Sequence, residues 1–148
     1  MPFEYTIVRD VEFSHTDMAG IMHFSNYFRL MEAAEHGFFR SLGFSIHTLD
    51  PEPVGWPRVH ASCDFRAPLR FEDSVEIRLL VREKREKSLV YSFIFRKLNE
   101  NPPKEVARGS IAVVCVKRDP ATGMMTGVPI PRAIADKIEV APPELLTP

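Results

Sequence analysis

An α+β domain, with one long helix set against a five-stranded antiparallel sheet, is the fold predicted by three features of this 148-residue sequence. A single segment, Phe24 to Leu42, repeats its apolar side chains at intervals of three and four, the period of an amphipathic helix. Five other segments alternate apolar and polar residues with a period of two, as half-buried strands do. Their order is one strand, then the helix, then four strands. A sheet of such strands has only that helix as an apolar partner, so it must wrap around it.

The first strand is read from Glu4 to Phe13, with Tyr5, Ile7, Val11 and Phe13 on one face and Glu4, Asp10 and Glu12 on the other. Ser14 to Gly20 strings together Ser, His, Thr, Asp and Gly, residues that bond their own backbone and open helices. The helix carries Phe24, Tyr27, Phe28, Met31, Ala34, Phe38 and Leu42 on its apolar face, and Gly43 closes it. At about 1.5 Å per residue it is ~28 Å long, enough to cross a sheet. Glu32 and Glu35, a turn apart, read as its solvated face.

Pro51, Pro53, Gly55 and Pro57 exclude regular structure between Phe44 and Pro57 and leave a packed loop. Strands follow over Val59 to Phe65, Val75 to Val81, Leu89 to Leu98 and Val106 to Val116. They are broken at Pro68 to Asp73, Glu83 to Lys87 and Asn99 to Lys104, which read as hairpin turns. From Asp119 the tail is expected to be irregular except for a short helix over Arg132 to Glu139, behind Pro131. Leu89 to Leu98 is apolar on both faces, so a second subunit is expected to cover part of the outer sheet surface.

The composition, 45% hydrophobic and 26% charged, is that of one folded domain spanning 1–148. A net charge of −1 provides no global field for nucleic acid or an anionic membrane. The longest apolar run, Ile111 to Val116, is far below the ~20 residues that span a bilayer. Met1 to Asp10 lacks the apolar core of an export signal, and the expected location is cytoplasmic. Cys63 and Cys115 lie inside strand patterns and read as reduced core residues. His36, His47 and His60 have no carboxylate or Cys at ligand spacing, so neither metal nor cofactor is expected.

The chemistry concentrates between Val11 and Phe28. A carboxylate on a loop, Asp17, beside a helix N-terminus makes two halves of an acyl-transfer site: a group to attack or to activate water, and N–H donors for a developing oxyanion. On spacing alone, Asp17 serves equally well as a turn or capping residue.

The same run resembles the signature of the 4-hydroxybenzoyl-CoA thioesterase branch of the hot-dog superfamily, which also includes Tol-Pal-associated thioesterases. Shared elements are a strand ending in an aromatic, an Asp two residues before Ala19-Gly20, a short apolar stretch, and Asn26-Tyr27 opening the long helix. The likeness continues through the element order, the Lys87-Ser88 turn and the proline-containing tail.

The resemblance implies a hot-dog fold and hydrolysis of an acyl-CoA thioester. Asp17 would act as nucleophile or general base, and the Phe24 backbone N–H as oxyanion donor with the helix dipole behind it. It implies a site role for His23, although the Tol-Pal-associated relatives carry Tyr-His where this chain has His23-Phe24. Gly20, Asn26 and Tyr27 would meet the substrate, and Arg85, Lys87 and Ser88 the coenzyme A phosphates, with Glu86 where a basic residue could stand. His15 reads as a loop residue. The family implies a homodimer or homotetramer with sites at a subunit interface.

Two other readings compete. A hot-dog dehydratase or hydratase would need Pro where Ser25 stands and Glu where Gly37 stands. A non-catalytic acyl-CoA-binding module would not need Asp17. Trp56 and the Phe-rich helix fit an apolar acyl site, though each also serves as core.

Overall fold

The computed structural model describes residues 2–49 and 52–147, so Pro51 lies outside the described residues. Along the chain come β1 (Glu4–Asp10), α1 (Ser25–Ser41), β2 (Arg58–Phe65), β3 (Ser74–Lys84), β4 (Ser88–Lys97) and β5 (Lys104–Val114). The strands form one sheet in the order β1-β3-β4-β5-β2, each pair antiparallel. This is the predicted architecture, with β1 and β2 as its edges.

Alternation along the strands builds the inner face in rows. Tyr5, Leu79, Phe93, Gly109 and Cys63 lie side by side across the five strands, as do Ile7, Ile77, Phe95, Ala107 and Phe65. Against these rows α1 buries Tyr27, Met31, Ala34, Phe38 and Phe39. The helix approaches closely where the sheet has no side chain: a Cβ at Gly109 would overlap Met31, and one at Gly37 on α1 would overlap the Tyr5 ring. Gly43, with φ +93°, takes the left-handed conformation that ends the helix. The loop before β2 is packed as expected: Val54 and Trp56 are buried, and the indole N–H donates to Thr48 Oγ1 at 3.2 Å.

Four expectations need correction. β1 ends at Asp10, and Phe13 starts a one-turn 3-10 helix, Phe13–His15, with 75% of its surface exposed. The chain turns there because the Glu12 N–H donates to His15 Nδ1 at 2.9 Å. Only Val11 of that segment continues into the core, paired through its backbone to Glu72 and Asp73.

The tail is more regular than predicted. β6 (Val116–Arg118) and β7 (Met125–Gly127) form a hairpin, α2 (Arg132–Ala135) is a single turn, and α3 (Pro143–Leu146) follows. The third correction concerns Pro68 to Asp73, which is no hairpin turn: it crosses from edge strand β2 to β3, three places away in the sheet. On the outer face the chain itself covers Leu80, with Leu145 and Leu146 of α3 beside it. Arg82 and Arg108 hold the segment there by donating to the carbonyls of Leu146 and Thr147, at 3.2 and 3.1 Å.

The fourth is Glu35, which is fully buried rather than solvated. Its carboxylate meets the Arg58 guanidinium, which also reaches Glu32 at 3.4 Å and the Trp56 carbonyl at 3.0 Å. Tyr91 lies beside the same carboxylate, and its buried hydroxyl makes no hydrogen bond of normal geometry. The helix pattern could not reveal this partner, because Arg58 arrives from an edge strand 23 residues away. Glu32 does stay half exposed.

Gly109→Val is expected to lower the unfolding free energy by about 1–3 kcal/mol, and Met31→Ala in the same chain to recover part of it. Denaturant melts of wild type, both single variants and the double variant measure that coupling. Burial holds the Glu35 carboxyl above its ordinary 4.5, against the pull of Arg58. The folded protein therefore binds this proton more tightly than the unfolded chain does. Its contribution to stability is full below pH 4.5 and falls as pH rises through the folded-state value. Relative to wild type, Glu35→Gln is expected to lose that decline, read from urea midpoints across about pH 4 to 8.

Candidate active site

The loop before α1 is built almost wholly from local backbone bonds. The Asp17 N–H donates to the Ile21 carbonyl at 3.0 Å, and the Gly20 N–H returns to the Asp17 carbonyl at 2.9 Å. One carboxylate oxygen of Asp17 accepts the Ala19 N–H at 2.9 Å, and among the described residues nothing donates to the other. Gly20 sits at φ +79°, where a side chain would be strained, yet a Cβ there would meet nothing within 4 Å. Backbone conformation, not crowding, is what requires glycine there.

Two bonds tie this loop to the helix start. The His15 carbonyl accepts both the His23 N–H and the Asn26 side-chain amide, each at 2.8 Å. His23 Nδ1 lies 2.8 Å from Ser25 Oγ and 3.3 Å from the Ser25 N–H, so one ring nitrogen caps the first helical residue. The ring itself lies against Phe24 at 4.6 Å. Among the described residues, no acceptor takes the Phe24 N–H.

A cavity of about 630 Å³ opens beside this corner, within the usual range for small-molecule sites. Asp17, Ile21 and Met22 form one wall, Phe24 and Tyr27 the helix side, and Phe65, Arg66, Pro68 and Arg70 the other wall. The two loops are joined directly, since the Met22 N–H donates to the Leu69 carbonyl at 2.7 Å and Leu69 is fully buried. Tyr27 packs edge-on against Phe65 and Phe95, and burial pushes its hydroxyl up to about 12, leaving it protonated at neutral pH.

The predicted residues divide accordingly. Asp17, Phe24 and Tyr27 line the cavity; Gly20 shapes the loop; His23 and Asn26 hold the helix start and stand outside the lining. Arg85, Lys87 and Ser88 lie at the far end of the sheet. Along β4, Ser88 is seven residues from Phe95, a span of about 23 Å. Arg85 pairs with Glu83 at 3.0 Å. Burial pushes the Cys63 thiol up to about 12 and that of Cys115 to about 11, so neither is a thiolate nucleophile. Among the described residues, no group of three or more potential ligands converges on a metal position.

The wall after β2 escaped the sequence reading. Pro68 to Asp73 reads as a hairpin turn, whereas it is the crossover from edge strand β2 to β3. It reaches Asp17 through an antiparallel sheet and a crossing helix, so no local spacing marks it.

A family model, the thioesterase-like superfamily, matches residues 11–143, which include every element of this cavity. The chain belongs to the thioesterase-like superfamily. A putative esterase of Aquifex aeolicus is 36% identical over 94 residues, covering 64% of this chain and 72% of that protein. The 4-hydroxybenzoyl-CoA thioesterase of Pseudomonas sp. strain CBS-3 is 31% identical over 88 residues, 57% of this chain and 62% of that one. The three-dimensional structure of that enzyme aligns with a TM-score of 0.82 at 22% identity, over 91% of this chain and 99% of that chain. A gentisyl-coenzyme A thioesterase structure aligns with a TM-score of 0.73 at 33% identity, over 90% and 98% of the two chains. The fold of this thioesterase-like chain is the hot-dog fold, and its named relatives are hydrolases of CoA thioesters. No helix among the described residues is long and apolar enough to cross a membrane.

Asn26→Ala removes the side-chain bond that fastens the helix start to His15. It is expected to lower stability by about 1 kcal/mol and to speed hydrogen exchange at the His23 amide, both read on the purified protein.

Proposed function

We propose that the protein is an acyl-CoA thioesterase that splits an acyl-CoA into the free acid and coenzyme A in the cavity beside Asp17. The observation that carries this reading is the pairing, along one cavity, of Asp17 and Phe24 at the start of a 17-residue helix, with one Asp17 oxygen and the Phe24 N–H both unclaimed among the described residues. The family and the CoA thioesterases among its relatives support it.

In this reading the acyl carbonyl oxygen lies at Phe24 N–H. Asp17 either attacks the thioester carbon itself, expelling the coenzyme thiolate and leaving an acyl–Asp17 anhydride that water then hydrolyses to the free acid, or takes a proton from a water that attacks the carbon directly. In both routes the C–S bond breaks and the thiolate takes up a proton as it leaves. As the carbonyl oxygen gains charge, the N–H bond and the helix dipole stabilise it more than they stabilise the ground state. His23 and Asn26 act through position, holding the donor at the first turn. Tyr27 and Phe65 give the acyl group an apolar wall.

The protein acts as a homodimer or a higher multiple of it, and its sites are shared between subunits. β2 is an eight-residue edge strand, exposed over most of its length and unpaired on its outer side among the described residues. Such an edge invites strand pairing. Two-fold antiparallel pairing of β2 with its copy would set the Arg58 end of one sheet beside the Phe65 end of the other. The Lys87-Ser88 turn, at the Arg58 end, then lies next to the partner's Asp17 cavity, where it can meet coenzyme A phosphates. One domain spanning 1–148 suffices for this reading. Two unbridged cysteines fit the reducing cytoplasm as its location.

Thiol release from short, long and aromatic acyl-CoA thioesters tests the assignment. Wild type is expected to turn over at least one class, and Asp17→Asn to lower kcat by about 10²-fold or more with the fold intact by circular dichroism. Binding without thiol release by the wild type would leave an acyl-CoA-binding module in its place.

A further inference from the structure

The wall opposite Asp17 holds a cation that the hydrolytic chemistry does not require. Arg66 and Arg70 both line the cavity, but Arg66 is already paired with Glu105 at 2.5 Å. Among the described residues, no carboxylate lies within ion-pair distance of the Arg70 guanidinium.

Its backbone is fixed on both sides. Leu69 before it is buried and bonded to Met22 of the Asp17 loop. The Arg70 N–H donates to Asp73 Oδ2 at 2.7 Å. Asp73 is anchored in turn: burial opposes its ionisation, yet Asn99, the Arg70 N–H and Lys97 together hold its carboxyl below the usual range. Arg70, an exposed residue on the cavity wall, is therefore carried on a braced turn bonded directly to the loop that bears Asp17.

We propose that Arg70 determines substrate specificity, and that the acyl group this protein hydrolyses carries an acidic oxygen, a carboxylate or ionised phenol, which Arg70 holds. This rests on the thioesterase reading. A neutral acyl chain would gain nothing from an unpaired cation in that wall. An anionic one would be repelled by Asp17, and Arg70 offsets that repulsion while fixing orientation through its planar fork. The anion is not a coenzyme A phosphate. A cavity of 630 Å³ is about 11 Å across if spherical, and the extended pantetheine arm carries the phosphates beyond it when the thioester lies at Asp17.

The test compares benzoyl, hydroxybenzoyl and carboxybenzoyl thioesters, each made on coenzyme A and on N-acetylcysteamine, which has no phosphate. Arg70→Gln is expected to lower the ratio of kcat/KM for an acidic acyl group to that for benzoyl by about tenfold or more on both thiols, with partial recovery in Arg70→Lys. Which ratio falls, hydroxybenzoyl or carboxybenzoyl, identifies the oxygen. An unchanged ratio overturns the proposal, as does a loss common to all CoA thioesters that vanishes on N-acetylcysteamine, since the contact would then be to phosphate. Calorimetric binding of the same CoA thioesters to Asp17→Asn, with and without Arg70→Gln, reads the same ratio without turnover. Absence of hydrolysis by the wild type would sink the thioesterase reading; an unchanged binding ratio would sink this one.

Discussion

The long helix can lie against its sheet only because β5 has no side chain where Met31 crosses it. Any Cβ at Gly109 would force Met31 outward, and in a close-packed interior such a shift passes along the whole element. The height of α1 above the sheet sets where its first turn ends up. Phe24 caps that turn and lines the cavity between the Asp17 loop and the segment after β2. The site is a consequence of how one thioether fits over one glycine.

The elements with a clean period were legible in the sequence, because a helix face and a strand face are each written locally. Asp17, Phe24 and Tyr27 were legible for a different reason: they share a short run whose likeness to a known signature places them together. Phe13 misled because its parity fits β1, while a hydrogen bond from the next residue back, Glu12, to the His15 ring ends the strand first. Glu35 misled because a carboxylate at a helical spacing reads as solvated until its partner is known, and Arg58 comes from an edge strand 23 residues away. Arg70 had no local signature at all. Its meaning depends on Leu69, Met22 and Asp73 meeting in space.

The buried Glu35 and Arg58 also bear on how the edge strand is held. Removing two charges from water is unfavourable, and one partner alone in the interior would be worse. Arg58 opens β2 and bridges Glu32, Glu35 and the Trp56 carbonyl, so the edge strand is fastened to the middle of α1 at its first residue. The rest of β2 makes few contacts with the helix, and past the irregularity between Arg58 and His60 it keeps an unbroken register to Phe65. A fixed edge of that kind is the form a strand needs to pair with another.

The bond from the Met22 N–H to the Leu69 carbonyl has one further consequence. Both loops of the cavity are aligned by main-chain groups, which every residue except proline supplies. The side chains they present, Ile21, Phe65, Pro68 and Arg70 among them, can be exchanged without dismantling the frame. A lineage could thus trade one acyl group for another through single substitutions on these walls, each intermediate still folded and still holding Asp17 in place.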